Sequence, residues 1–262
     1  MITNIRLSCS IVLFNNNRKI LLNTINSIFN NNIDITLYLI DNSPTNDLSN
    51  IIYHDKIMYI HNPSNPGYGA SHNIAIKHSY KENFDFHLVI NPDVYFNGGT
   101  LEKIISFMDD NKNIVLLMPK ILNPDNTLQF LCKKNPNFID LFLRGFLPNF
   151  LKFLFKKRLQ KFQNENKSYD EIIYDVPYLS GCFMFFRTTL LKKVGFFDEN
   201  IFMYLEDADI TRRCLKIGNT VYYPNVSIYH HYSGLTHKSW KFKFITIQSS
   251  FTYFRKWGWF GN

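Results

Sequence analysis

Apolar and polar positions along the first half of the chain fall into alternating blocks. Residues 8–14 (SCSIVLF) form a compact, mostly apolar run, the pattern of a strand covered on both faces. Over 18–30, Ile20, Leu21, Thr24, Ile25 and Ile28 recur at helical spacing and define one face of an amphipathic helix. A second strand, 35–40 (ITLYLI), ends on Asp41. A third, 56–61, runs into Asn62-Pro63-Ser64-Asn65-Pro66-Gly67, a strong loop signal. Then follow a helix over 70–79, a strand over 86–90, a helix over 100–110 and a strand over 114–118. This rhythm predicts an α/β fold with a mixed, mostly parallel, Rossmann-like sheet flanked by helices. In such sheets ligands gather beyond the carboxyl ends of the strands.

The second half reads differently. Residues 137–162 are rich in Phe, Leu and basic side chains, and Gly145 and Pro148 divide them into two short helices. A strand is predicted over 176–186, a helix over 205–217 with Gly218 as its C′ residue, and a last short strand over 220–224. Beyond Ser239 the chain is basic and aromatic. The expected organisation is one domain over 1–235, carrying an amphipathic insert at 137–170, and a C-terminal helical extension over 236–262.

Composition narrows the partners. The 262 residues carry 29 Lys+Arg against 21 Asp+Glu, a formal charge of +8, which favours anionic ligands or surfaces. Nucleic acid is not expected: no zinc-finger spacing, RNP-type motif or basic recognition helix is present. Cys9, Cys132, Cys182 and Cys214 are scattered, without a CxxC pair, so reduced thiols and a cytosolic setting are expected. The start reads directly into a strand rather than a signal peptide. No apolar run reaches the roughly 18 residues that a spanning helix requires.

Four stretches hold residues suited to chemistry. In HLVINPDVYF the strand over 86–90 stops at Asn91-Pro92-Asp93 and then turns apolar again. Asn-Pro-Asp is ordinary turn chemistry, yet a carboxylate at a strand's carboxyl end is also where a ligand would be met. LIDNSPTND puts Asp41 and Asn42 after a strand, with Asn15 after the first one; Asp41 could equally cap a turn. NPSNPGYGASHNIAI holds Gly67, Gly69 and Asn73, and glycines there permit positive φ or a close backbone approach. FFDENIFMYLEDADITRRC places Glu206 and Asp207 at the start of a helix, where acids also suit the dipole.

The segments NPGYGASHN, NPDV, SGCFMFFR, GFFDENIFMYLEDADITRR and YPNVSIYHH, in this order over nearly the whole chain, resemble the family-2 inverting glycosyltransferases of GT-A fold. Within that family they look like bacterial rhamnosyltransferases of O-antigen and related polysaccharide assembly. The resemblance implies a divalent cation, Mg²⁺ or Mn²⁺, held by Asp93 and His230. It makes Asp93 the last acid of the family's DxD motif, with Asn91 in place of the first. It implies Asp207 as general base beside Glu206, with Asp209 a competitor. A carboxylate beside Glu206 and partly shielded from water is expected to have a raised pKa, which suits proton abstraction. Nucleotide contacts are expected from Asn15, Asp41, Asn42, Gly67, Gly69, Asn73, Asn91 and Asp93. A sugar or acceptor pocket is expected from Ser180, Gly181, Cys182 and Arg212. One of Arg212 and Arg213 would pair with the acidic cluster and the other be solvated. His231 and His237 are lesser candidates.

The donor implied is dTDP-β-L-rhamnose, with a UDP-sugar such as galactofuranose as rival. The acceptor implied is a saccharide on a polyprenyl diphosphate. Residues 138–162 and 240–260 interleave Phe and Trp with Lys and Arg, which suits a peripheral contact with the inner face of an anionic bilayer; packing on the domain is the other reading. A non-catalytic carbohydrate-binding relative is the rival from another class.

Overall fold

The computed structural model describes residues 5–51, 54–145, 147–231 and 240–259. In chain order the elements are β1 (Arg6–Leu13), α1 (Arg18–Phe29), β2 (Asp34–Asp41), β3 (Ile57–His61), α2 (Tyr68–Lys81), β4 (Phe86–Ile90), β5 (Val94–Tyr95), α3 (Thr100–Asp110) and β6 (Ile114–Leu122). There follow α4 (Phe138–Gly145), α5 (Asn149–Lys152), α6 (Lys156–Phe162), β7 (Ile173–Tyr174), β8 (Phe183–Arg187), α7 (Thr188–Val194), α8 (Glu206–Cys214), β9 (Asn219–His230) and α9 (Trp240–Trp257).

One mixed sheet runs in the order β3-β2-β1-β4-β8-β6-β9-β5, with β7 paired to β9. The strands β3, β2, β1 and β4 are parallel. Strand β8 is inserted antiparallel between β4 and β6, and β6 and β9 are again parallel. Every residue of β4 is buried, as its unbroken apolar run requires. The chain leaves β1 for β2 on one side and returns to β4 on the other. The strand order therefore reverses at β1, and a crevice forms beyond the carboxyl ends of β1 and β4.

Beneath that crevice lies a buried polar cluster. The Ser8 hydroxyl meets Ser79 Oγ at 2.9 Å and His87 Nδ1 at 2.8 Å, and Ser10 Oγ meets His72 Nδ1 at 2.7 Å and His87 Nε2 at 3.0 Å. Burial lowers the pKa of His87 to about 3 and that of His72 well below its usual value, so both rings are neutral. These bonds register α2 on β1 and β4 and satisfy the buried hydroxyls and both His87 nitrogens, leaving only His72 Nε2 of the cluster without a partner among the described residues.

The strand expected over 176–186, the helix expected over 205–217 and the last strand differ from the observed elements in instructive ways. Only 183–187 of the strand expected over 176–186 enters the sheet as β8. The preceding residues spend their backbone elsewhere: Val176 N–H on Thr220 O at 3.2 Å, and Tyr178 O on Lys133 N–H at 2.9 Å. The helix expected over 205–217 is shorter at both ends, because Leu205 is left-handed at φ 69° and Leu215 caps the other end. Gly218 is not a left-handed cap. A Cβ there would sit 2.4 Å from the Asn113 carbonyl oxygen, so the residue serves a close backbone approach. The last strand is long rather than short. It passes Pro224 through a bulge, its register against β6 jumping from Tyr223 to Ser227, which accommodates a residue lacking an N–H.

The insert forms three short helices, α4, α5 and α6, rather than two: the expected break near Gly145 and Pro148 is present, and a further one at Phe153–Phe155 divides the second helix. Tyr253 and Phe254 of α9 are buried against Phe162, Tyr178, Leu205 and Ala208, so α9 packs on the domain next to α8. Its other face is exposed at Trp240, Phe244, Ile247 and Phe251. No helix among the described residues is long and apolar enough to cross a membrane.

Candidate active site

The Asn91-Pro92-Asp93 turn leaves β4 and is pinned from three sides. Asn91 N–H donates to Cys182 O at 3.0 Å, the Tyr68 hydroxyl donates to Asn91 Oδ1 at 2.9 Å, and the Thr24 hydroxyl donates to Pro92 O at 2.8 Å. The Asp93 carbonyl accepts His231 N–H at 3.0 Å, and the next residue, Val94, pairs with His230. This hairpin of β5 on β9 brings Asp93 Oδ1 to 3.4 Å from His230 Nε2. Oδ1 is buried without a hydrogen bond. The other ring nitrogen, Nδ1, lies 3.1 Å from Gln129 Oε1, and Gln129 Nε2 donates to His230 O at 3.0 Å. Gln129 thus orients the imidazole so that Nε2 faces the carboxylate. Asp93, Tyr95 and His231 also line a cavity of about 910 Å³ against α1.

These groups fit a divalent cation. An orphaned carboxylate oxygen and an imidazole nitrogen face each other, and an amide holds the second ring nitrogen. No group of three His, Cys, Asp or Glu among the described residues could hold a metal alone. Nucleotide oxygens and water would have to supply the remaining positions, as is usual for Mg²⁺. Burial alone would lower the pKa of His230. The Cys182 sulfur and the Asp93 carboxylate outweigh it and raise the pKa to about 10. Without a cation the imidazolium is the counter-charge of Asp93, and metal binding would have to release its proton.

The second carboxylate cluster starts α8. Tyr204 and Leu205 are both left-handed at φ 69°, a strained entry for residues with a Cβ. It puts Glu206 and Asp207 on the first turn, 5 % and 9 % exposed. Asp207 Oδ2 accepts Gly181 N–H at 2.9 Å and Oδ1 accepts Ala208 N–H at 2.9 Å. Gly181 packs closely here: a Cβ would sit 3.3 Å from the Asp207 Cβ, a tight contact that would push on the carboxylate. Glu206 Oε2 is buried without a partner. Burial first, and then the charge of Asp207, push the Glu206 carboxyl well above the usual carboxylate range. The raised pKa that the sequence reading expects of Asp207 falls instead on its neighbour Glu206, which holds a proton.

The sign of that shift fixes a pH dependence. Unfolded, Glu206 titrates near 4.5; folded, it titrates well above. Between the two values the native state holds a proton that the unfolded chain has released. Stability present below the unfolded pKa is therefore lost as pH rises through the window. Glu206→Gln removes the titration. The variant's melting temperature relative to wild type is expected to rise with pH above the unfolded value of 4.5, read by thermal melts in matched buffers. A gain that shrinks with pH would contradict the assignment.

Tyr68 joins the two clusters. Its hydroxyl reaches Asn91 Oδ1 at 2.9 Å and Gly181 O at 2.8 Å, so one phenol spans the Asp93 turn and the backbone that holds Asp207. Its pKa is raised well above the usual value by burial first, then by Glu206, Cys182, Asp207 and Asp93. The two acids, 114 positions apart in the chain (207 − 93), lie in the field of one side chain.

Other predicted site residues are placed elsewhere or are already occupied. Asp41 is fully buried, with Oδ2 accepting from the Tyr59 hydroxyl at 2.6 Å and Oδ1 from Ser43 N–H at 2.9 Å. A nucleobase would reach it only with Tyr59 turned aside. Asn42 is buried among Asn62, Asn65 and Ser71. Asn73 is corrected from nucleotide contact to a clamp: its amide donates to Phe197 O and Glu199 Oε1 and accepts Phe197 N–H. Gly67 has the positive φ expected, 107°, but the space it leaves is filled by Phe202 O at 2.3 Å from a would-be Cβ. Gly69 likewise meets Phe197, so neither glycine opens to a ligand. Arg212 is corrected from the sugar pocket to α9, where its guanidinium lies 4.4 Å from the Trp257 ring centroid. Asp209 drops out as a rival base: it is fully buried and bound by Arg213, Lys256 and Trp257. Asn15 is exposed at φ 50°, its N–H donating to Ser43 Oγ. Ser180 is half-buried next to Gly181, and Cys182 is a buried free thiol. His237 lies outside the described residues.

Four side chains enter that the sequence reading passed over. Tyr68 stood within the quoted NPGYG loop. Gln129, Lys133 and Tyr178 belong to no motif, and Lys133 in CKKNPN reads as a solvated lysine. Lys133 is in fact only 5 % exposed, its ammonium 4.7 Å from the Tyr178 ring centroid.

Residues 8–195 match the family described as Glycosyl transferase family 2. The chain belongs to that family. The N-acetylglucosaminyl-diphospho-decaprenol L-rhamnosyltransferase of Mycobacterium tuberculosis is 28 % identical over 148 residues, 56 % of this chain and 47 % of that protein. The Escherichia coli rhamnosyltransferase WbbL is 25 % identical over 197 residues, 71 % of this chain and 69 % of its own. Against the mycobacterial relative, the family 2 chain spans about half the relative's length. The structure of GalNAc-T7 with UDP, GalNAc and Mn²⁺ superposes on 86 % of this chain and 43 % of its own, with a TM-score of 0.62 at 14 % identity. That likeness concerns the fold, which is of the GT-A type.

Proposed function

We propose that this family 2 protein is an inverting hexosyltransferase that moves L-rhamnose from dTDP-β-L-rhamnose to a saccharide carried on a polyprenyl diphosphate. The observation that carries the reading is the joining of Asp93 and Asp207 through Tyr68 and Gly181 at the carboxyl edge of the sheet. The two relatives named as rhamnosyltransferases favour this donor.

Asp207 is the base. With both oxygens oriented by backbone N–H groups, it accepts the proton of the acceptor hydroxyl as that oxygen attacks the anomeric carbon. Glu206, kept protonated beside it, adds no second negative charge next to the nucleophile. Attack from the face opposite the leaving group converts the β donor into an α-rhamnoside. Asp93 and His230 would hold a Mg²⁺ or Mn²⁺ ion, which supplies charge compensation for the departing diphosphate. The half-buried Ser180 and the backbone at Gly181, which binds both Tyr68 and Asp207, would face the sugar.

The proposed location is peripheral, on the cytoplasmic face of the inner membrane. Phe138, Ile139 and Phe142 of α4 and Phe150, Phe153 and Leu154 beyond it are exposed, Phe150 by 73 %. Phe138 packs on Phe254 and Trp259, which joins this surface to the exposed face of α9. Lys156, Lys157 and Arg158 follow directly in the chain, a pairing of apolar and basic groups suited to an anionic interface.

The test is turnover with a lipid-diphosphate saccharide, offering dTDP-rhamnose and UDP-sugars including UDP-galactofuranose in parallel. The expected result is transfer from dTDP-rhamnose with an α-configured product by NMR. Turnover with a UDP-sugar alone would replace the donor assignment, and no turnover with any donor would remove the transferase reading.

A further inference from the structure

Lys133 and Arg144 are not used by the chemistry above. Lys133 is carried to the base of the site by backbone pairing: its N–H donates to Tyr178 O at 2.9 Å. Among the described residues its ammonium has neither an ion pair nor a hydrogen bond, and its one aromatic contact is Tyr178. Arg144, at the end of α4, likewise has no ion pair or hydrogen bond among the described residues, and is half-buried. The two cations lie within electrostatic reach of each other, and Lys133 also within reach of Asp207 and Cys182. Asp207, the nearby acid, is already engaged by Gly181 and Ala208. Burial, and then the charge of Arg144, lower the Lys133 pKa to about 8, so the ammonium is still largely charged at neutral pH.

A lysine more than nine-tenths buried, with an arginine within electrostatic reach, costs stability unless an anion offsets the charge. A compact dianion is what such a pair lacks. Its surroundings narrow the class further. Lys133 lies in the field of Asp207, the proposed base. Arg144 stands in the last turn of α4, whose Phe138, Ile139 and Phe142 are exposed and apolar. An acceptor held here would have a base for its hydroxyl, cations for its diphosphate and an apolar helix for its chain.

We infer that Lys133 and Arg144 form a binding subsite for the diphosphate of a prenyl-diphosphate-linked acceptor, distinct from the donor diphosphate site at Asp93 and His230. The inference rests on the acceptor reading above and assigns that acceptor its anchor. Lys133 is a binding residue here, and Tyr178 holds its alkyl stem and ammonium in place.

The test uses the full chain and farnesyl diphosphate as a soluble probe, titrated calorimetrically with dTDP and Mg²⁺ present to fill the donor side. Wild type is expected to bind the probe. Lys133→Met should weaken it about tenfold or more and Lys133→Arg should restore most of the affinity, while Arg144→Gln should weaken it several-fold. Binding of dTDP should be unchanged in all three. The melting temperature of Lys133→Met should equal or exceed that of wild type, because the variant keeps the apolar stem and removes an unpaired buried charge; a merely structural lysine would lower it. Equal probe binding by wild type and Lys133→Met, no probe binding by wild type, or weakened dTDP binding in place of probe binding would each overturn the assignment. Sugar transfer by wild type is scored separately. Transfer intact with Lys133-independent probe binding removes the subsite alone; transfer absent with Lys133-dependent binding intact removes the transferase reading alone.

Discussion

Asp207→Asn is expected to lower sugar transfer by about three orders of magnitude while leaving the protein folded. The amide keeps the size of the carboxylate, so Gly181 N–H or Ala208 N–H retains an acceptor in Oδ1 or Oδ2. What is lost is the capacity to take a proton. One backbone N–H faces an NH₂ group, at a cost of about 1–3 kcal/mol. In a chain of this length that moves the melting temperature by several degrees at most. Donor affinity should not change, because Asp93 and His230 stand on the far side of Tyr68. The measurements are kcat and KM with saturating donor, a dTDP titration and a thermal melt. Retention of more than about a tenth of wild-type kcat would exclude Asp207 as the base.

Asp209→Ala should produce the largest loss of stability. This carboxylate is fully buried and accepts from Arg213 Nε at 2.9 Å, Trp257 Nε1 at 2.8 Å and Lys256 Nζ at 2.8 Å. Removing it strands the Arg213 guanidinium, 17 % exposed, and cuts the polar ties between α8 and α9. Removal of one member of such a buried pair costs about 3–5 kcal/mol. The apolar cluster of Phe162, Tyr178, Leu205, Ala208, Tyr253 and Phe254 would lose its register at the same time. The expected readouts are a melting temperature lower by about 10 °C, a red shift of tryptophan emission from Trp257, and new protease cleavage within 240–257. Tyr178 belongs to this cluster and contacts Lys133, so kcat/KM for the acceptor should fall with stability. An unchanged melting temperature would show that α9 is held by apolar packing alone.

These two neighbours, Asp207 and Asp209, separate what a sequence can disclose from what it cannot. Both stand in LEDAD at the start of one helix, and both are acids that suit the dipole there. Only the packing of Trp257 and Lys256 makes Asp209 an anchor for α9, and only the backbone N–H of Gly181 singles out Asp207 for the proposed role of base. The same holds for Asn73 and Arg212. Their motif positions are compatible with a ligand, and distant partners, Phe197 and Trp257, take them instead.

The features legible from the residues alone are local ones. β4 over Phe86–Ile90 and α3 over Thr100–Asp110 have the predicted bounds, because burial on both faces or on one stripe writes a period into consecutive residues. The order of the family 2 segments was legible for the same reason, since each is short and contiguous. The tertiary structure alone decided that β8 lies antiparallel between β4 and β6, that Tyr68 spans the Asp93 and Asp207 clusters, and that Lys133 is buried beside Tyr178. Those contacts join residues far apart in the chain, and partners at such separation leave no periodic trace in either segment.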